Sequence, residues 1–125
     1  MTIAYWCVVT VVFMPYIWVL TARVPTFSLQ GNLEPRLASD ELTGYQQRFY
    51  WAHLNALEAI APFAAVVFIA QQLHADQATI DMLAMSFVGL RLAHAMAYAA
   101  NLGLIRSIAF FGASVCMVFI VISAV

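Results

Sequence analysis

Apolar positions along the chain fall into four long runs, and most polar residues gather between them. Ile3 to Ala22 carries no charged side chain, and about twenty residues rising ~1.5 Å each cross the roughly 30 Å of a bilayer's hydrocarbon. That run predicts a membrane-spanning helix over 3–22, with Pro15 as a kink or a place for a small neighbour. A cleaved leader is disfavoured, because no basic residue precedes the run and it is too long for a leader's apolar segment. Between 23 and 46, Pro25, Gly31, Pro35 and Gly44 alternate with Arg23, Glu34, Arg36, Asp40 and Glu41, breaking helix repeatedly and predicting the one long connection. Ser39 and Thr43 are both candidates to cap the second helix. That helix, over 45–73 with Pro62 midway, is long enough to project from the bilayer. His74 to Thr79 reads as a turn and 80–100 as a third helix. Asn101-Leu102-Gly103 is a stop with Gly103 at the expected C′ position, and a fourth helix runs over 104–125. The pattern predicts an all-α chain, one domain over 1–125, folded as an antiparallel four-helix membrane bundle.

Composition narrows the function classes. Hydrophobic residues make up 65% and charged residues 9%, against about 45–50% and 25% in soluble domains, so the chain reads as an integral, multi-pass membrane protein. A formal net charge of -1 with no lysine excludes a polyanion partner, nucleic acid included. Cys7 and Cys116 sit inside apolar runs and make no disulfide framework. Arg23, Arg36, Arg48 and Arg106 all fall on the side of the long connection, whereas the other side offers His74, Asp76 and Asp81. The positive-inside rule then puts loop 23–46 in the cytoplasm and both termini opposite; the expected location is a bacterial inner membrane.

Polar groups inside the apolar runs carry the chemistry. At 3.6 residues per turn, Arg48, Asn55 and Glu58 share a face of the second helix, with Trp51 between them and His53 to the side. On the third helix Arg91, His94, Tyr98 and Asn101 are spaced three, four and three apart, one continuous stripe. A helix-end cluster pairing with itself or with headgroups is the bland reading of the first group. A charge at mid-helix costs about 2.5–3.5 kcal/mol on insertion scales, so two such stripes approaching the same membrane half point to a site. Neither His53/Asn55/Glu58 nor His94/Tyr98 has a zinc spacing, and no Ser-His-Asp arrangement is formed.

The run Ala52-His-Leu-Asn55-Ala-Leu-Glu58-Ala-Ile-Ala-Pro62-Phe63 resembles the second-helix signature of MAPEG, the membrane-associated proteins in eicosanoid and glutathione metabolism. Arg91-Leu-Ala-His94-Ala-Met-Ala-Tyr98, followed by Arg106-Ser107, resembles that family's third and fourth helices, closest to the microsomal glutathione S-transferase and prostaglandin E synthase branch. The resemblance spans nearly the whole chain. It implies a homotrimer with glutathione, the co-substrate, bound between subunits near the cytoplasmic face. Carried over by position, it implies that Asn55 and Glu58 contact the peptide and amine with His53 beside them. His94 and Tyr98 resemble its third-helix ligands, and Arg23 and Arg91 more loosely its carboxylate-binding arginines; the ligand's chemistry adds Arg48 as a further candidate for the carboxylates. Arg106 with Ser107 resembles the family's thiol-activating end, and a hydroxyl from Ser107 or Tyr98 is expected to assist the cation. Trp51 stands where those branches carry an arginine, and Phe110 replaces a tyrosine of some synthases. Small residues in the last two helices, Ala93, Ala97, Gly112, Ala113 and Ser114, suit close helix contact.

The residue types make independent sense of such a ligand, since glutathione brings two carboxylates, an ammonium and a thiol, which call for guanidinium groups, an acid and a thiolate-stabilising cation. A transferase or peroxidase acting on a lipophilic electrophile or hydroperoxide is the expectation. The alternatives are a non-catalytic lipid-binding protein of the same fold and a small transporter. Clustering of the polar residues on one membrane side opposes transport.

Overall fold

The computed structural model covers residues 1–125. Helix α1 (Ile3–Arg23) leads through a single 3-10 turn (Val24–Thr26) and two short helices, α2 (Leu29–Leu33) and α3 (Pro35–Asp40), into α4 (Gly44–Gln72); α5 (Gln77–Ala99) and α6 (Gly103–Ile122) complete the chain. The four long helices are each long and apolar enough to cross a membrane. They alternate in direction, with α1 packed chiefly on α4 and α5 on α6, and α4 against α5 joining the two pairs. The loop end of the bundle holds Arg23, Arg36, Arg48 and Arg106; the far end holds Thr2, His74, Asp76 and Asp81.

Small side chains let these helices approach. Ala4, Ala70, Ala84 and Ala113 are buried around Cys7, Val67, Ile80 and Ile120 in the larger core cluster, and at its centre Phe63 and Phe87 stack with centroids 3.9 Å apart and planes 4° from parallel. Ala52, Ala56 and Ala95 make room for Met14 and Trp18 nearer the loop end. Of the small residues expected to serve helix contact, Ala97 and Ala113 are buried within the chain, and a Cβ on Gly112 would come 3.2 Å from Leu90 Cδ1. Those three are therefore spent on intrachain packing. Outward faces carry Phe13, Ile17, Leu20, Phe68, Ile108 and Phe119, all exposed, as a lipid-facing surface requires.

Helix ends depart from the sequence reading for identifiable reasons. Helix α5 starts three residues early because Asp76 caps it, its Oδ2 accepting from the Thr79 backbone N–H at 2.9 Å and the Thr79 hydroxyl at 2.7 Å. Those bonds, the hydroxyl's first, hold the exposed Asp76 carboxyl below the usual range. A depressed folded pKa means that this cap contributes above the unfolded value and loses its effect as pH falls through the folded one. The left-handed C′ residue after α5 is Asn101 (φ 59) and not Gly103. Asn101 N–H donates to Tyr98 O and Leu102 N–H to Ala97 O, a Schellman pair that asparagine tolerates at positive φ. Gly44 (φ 60) is the glycine whose conformation excludes a side chain without strain. Thr43 occupies the cap position of α4 but its hydroxyl makes no capping bond, while Ser39 is buried and donates to Pro35 O.

At the far end α5 caps α1 across the bundle. The Ala4 N–H, one of the unpaired donors of α1's first turn, donates to Asp81 Oδ1 at 2.8 Å, and Gln77 Nε2 donates to the same oxygen at 2.8 Å. Asp81→Ala is expected to destabilise the bundle by about 1–2 kcal/mol, through lost capping and lost charge at a helix N-terminus. Asp81→Asn keeps an acceptor and should recover roughly half of that. Reversible unfolding in mixed micelles measures both, and equal losses for the two variants would exclude the capping bond as the cause.

Candidate functional site

A row of openings runs down the outside of α4, α5 and α6, starting at the loop end. The outermost is lined by Arg48, Trp51, Tyr98, Asn101, Gly103 and Arg106 among others. Next comes an open groove of about 460 Å³ between Trp51, Leu54, Asn55, Glu58, Tyr98 and Arg106. It shares Asn55 and Glu58 with an inner cavity of about 170 Å³ bounded also by Ala59, Pro62, Phe87, Arg91, Phe110, Ala113, Ser114 and Met117. The lining thus passes from cationic, through an acid, to largely apolar as it descends.

Local structure explains why each polar group is where it is. Arg48, in the second turn of α4, donates from Nε to Ala99 O at 3.0 Å, satisfying a free carbonyl at the α5 C-terminus where a cation is favoured. The rest of its guanidinium remains at the groove mouth. Two turns on, Asn55 meets Arg91 from α5: one guanidinium nitrogen donates to Asn55 O at 2.9 Å and to Asn55 Oδ1 at 2.8 Å. Arg91 is buried, so this contact stands in for the water a charge otherwise needs. It also fixes the asparagine amide, because Oδ1 is engaged and the NH2 group is the free end. Glu58, one turn further along α4, is exposed on the groove and inner cavity.

Tyr98 is the hub of the opposite wall. The Arg106 Cζ lies 4.6 Å from its ring centroid, a cation–π distance. His94, one turn earlier and buried, meets it edge-on with centroids 5.3 Å apart, and Trp51 approaches across from α4 at 6.4 Å. Helix α6 begins at Gly103 with no side-chain cap, so its first N–H groups and positive dipole end lie beside Arg106. Phe110, on α6, faces His94 at 6.1 Å and supplies an apolar wall.

Three of the site residues read from the sequence lie outside this groove within a single chain. His53 faces α1, its Nδ1 donating to Pro15 O at 2.9 Å. Arg23 lines a small recess with Thr26, Phe27 and Leu42 under the loop. Ser107 turns its hydroxyl back to Gly103 O at 3.1 Å; it is one position, about 100°, around α6 from Arg106. Arg48, Asn55, Glu58, Arg91, Tyr98 and Arg106 do converge, with His94 behind Tyr98. Sequence reasoning missed the apolar walls, Leu54, Pro62, Phe87 and Met117, because nothing in their type separates a groove lining from a lipid-facing or core position.

The profile of the MAPEG family matches residues 3–125. This chain belongs to the MAPEG family. No curated protein and no solved structure matches it. As a MAPEG protein with four helices long and apolar enough to span a membrane, it is an integral, multi-pass membrane protein. Both stripes that carried the resemblance, Asn55/Glu58 and Arg91/His94/Tyr98 with Arg106, line or support that groove.

Proposed function

We propose that the groove holds glutathione and that the protein is a glutathione-dependent membrane transferase or peroxidase of the microsomal glutathione S-transferase and prostaglandin E synthase branch. The observation that carries this reading is the meeting of Glu58, Asn55, Tyr98 and Arg106 around one open groove, a donor and acceptor set matching the tripeptide's charges. Glu58 accepts from the ammonium, the free Asn55 amide donates to a peptide carbonyl or carboxylate, and the terminal nitrogens of Arg48 hold a carboxylate. Arg106, against the uncapped α6 terminus, faces the sulfur and favours its thiolate. A lipophilic electrophile or hydroperoxide reaches that sulfur sideways from the bilayer, and the apolar inner cavity receives its hydrocarbon portion.

An acid exposed about fourteen residues into α4 is costly against lipid, and a second copy covering the groove removes that cost. This supports a homotrimer in which Arg23 is supplied by a neighbouring subunit. The arginine bias favours a cytoplasmic loop end. Titration calorimetry of purified protein with glutathione, followed by a conjugation assay with a chlorinated nitroaromatic, tests the reading. Saturable heat lost in Glu58→Gln and time-dependent conjugation are expected. Heat without conjugation or hydroperoxide reduction would point to a non-catalytic lipid-binding protein, and no heat would overturn glutathione binding. Native mass spectrometry in mild detergent is expected to give three copies, and monomer alone would overturn the trimer.

A further inference from the structure

The connection between α1 and α4 is folded, yet it leaves its largest side chains outside. Leu29 and Leu33 are 81% and 74% exposed, and Leu37 is 58% exposed. Leu29 and Leu33 are four residues apart on α2, the spacing that keeps side chains in one sector of a helix, and Leu37 is exposed on α3, which starts afresh after the non-helical Glu34. The segment is anchored from beneath. Leu42 and Ser39 are buried, Ser28 Oγ accepts the Gly31 N–H at 2.9 Å, and Gln46 Nε2 donates to both Ala22 O and Thr26 Oγ1, at 2.8 and 3.1 Å. Three outward leucines on an ordered segment form the kind of exposed apolar surface that calls for an apolar partner.

We infer that this partner is the lipid bilayer itself, and that α2 and α3 lie in its headgroup boundary with Leu29, Leu33 and Leu37 directed into the acyl region. Continuity identifies the occupant. Ile17, Leu20, Val24 and Phe27 are all exposed and spaced three, four and three apart, so the lipid-facing strip of α1 passes through the 3-10 turn and leads directly to Leu29. Both ends of the connection are fixed at the ends of spans, Arg23 and Gly44, and the Gln46 bonds hold its base there. Charge sets the kind of contact: between 24 and 43 there is one arginine, Arg36, against Glu34, Asp40 and Glu41. Attraction to anionic lipid is thereby excluded as the driving force. The contact is apolar burial about 5–10 Å deep, insensitive to salt on a zwitterionic surface and not strengthened by anionic headgroups.

The test uses the full chain in phosphatidylcholine vesicles, with an environment-sensitive fluorophore on Leu33→Cys or Arg36→Cys. Cys7 and Cys116 are buried and are retained, with the unsubstituted chain giving the labelling background. At position 33, quenching by lipids spin-labelled high on the acyl chain is expected to exceed iodide quenching several-fold, with the reverse at 36 and no change at raised salt. Equal iodide access at both positions would overturn the proposal by placing the segment in water. Protection of position 33 from both quenchers would overturn it in favour of a second copy or another protein on the leucines. A Leu29/Leu33/Leu37→Ser variant that keeps α1–α6 intact by circular dichroism should become sensitive to protease within the connection only, and unchanged resistance would count against lipid burial.

Discussion

Arg106→Leu is expected to lower turnover about a hundredfold while leaving glutathione affinity within about tenfold. A cysteine thiol ionises near about 8.5, so only several per cent is thiolate at neutral pH. Lowering that value by roughly two units takes about 2.7 kcal/mol of preferential thiolate stabilisation. Arg106 is placed to give it: the guanidinium sits over Tyr98, 4.6 Å from the centroid, at the start of a helix with no capping side chain. Stacking holds the planar cation without consuming its N–H donors, so they stay available to sulfur. In the proposed binding mode the carboxylates and ammonium of the ligand are held elsewhere, by Arg48, Asn55 and Glu58, which is why binding should survive the loss. Arg106→Lys keeps the charge but not the planar fork, and turnover between the two is expected. Ultraviolet titration of bound thiolate in each variant separates the mechanism from misfolding. An unchanged thiol pKa in Arg106→Leu would transfer the activating role to the Tyr98 hydroxyl.

Much of this architecture was legible because lipid imposes simple rules. Spans must be long, apolar and internally hydrogen-bonded, so the four runs of the sequence appear as α1, α4, α5 and α6 with ends displaced by at most a few residues. The displacements come from capping, which depends on geometry: Asp76 extends α5 backwards, and Asn101 takes the left-handed position for which Gly103 was the natural candidate. The connection reads as loop because its prolines and glycines break helix, yet Ser28 and Pro35 each start a short one. In the site, helical periodicity alone put Asn55 with Glu58 and Arg91 with His94 and Tyr98. It said nothing of what each stripe faces across the bundle. The sequence reading assigned Arg91 to a ligand carboxylate; within the chain it holds Asn55, and His53 turns to α1, where its Nδ1 donates to the Pro15 carbonyl. Partner choice is a tertiary property, set by how α4 and α5 cross.

That Asn55–Arg91 contact should dominate the stability of the loop half of the bundle. Removing one side of a buried charged hydrogen bond costs more than the bond contributes, because the remaining charge keeps its desolvation penalty. Asn55→Leu leaves the buried Arg91 with only the Asn55-position backbone carbonyl, and a loss of about 2–3 kcal/mol is expected. Arg91→Met removes the charge itself and fills similar space; its cost should be about 1 kcal/mol, since the freed asparagine amide can turn to the groove. The double variant should then lie within about 1 kcal/mol of the parent, giving a favourable coupling that additive effects cannot produce. Glutathione binding should show a different order, lost in Asn55→Leu and in the double variant alike, because refilling the space does not restore the amide donor. Unfolding in mixed micelles and calorimetry on the same four proteins read the two properties separately. If the two single losses of stability merely add, Arg91 is held by something other than Asn55, and the groove residue nearest to it in charge, Glu58, becomes the partner to test.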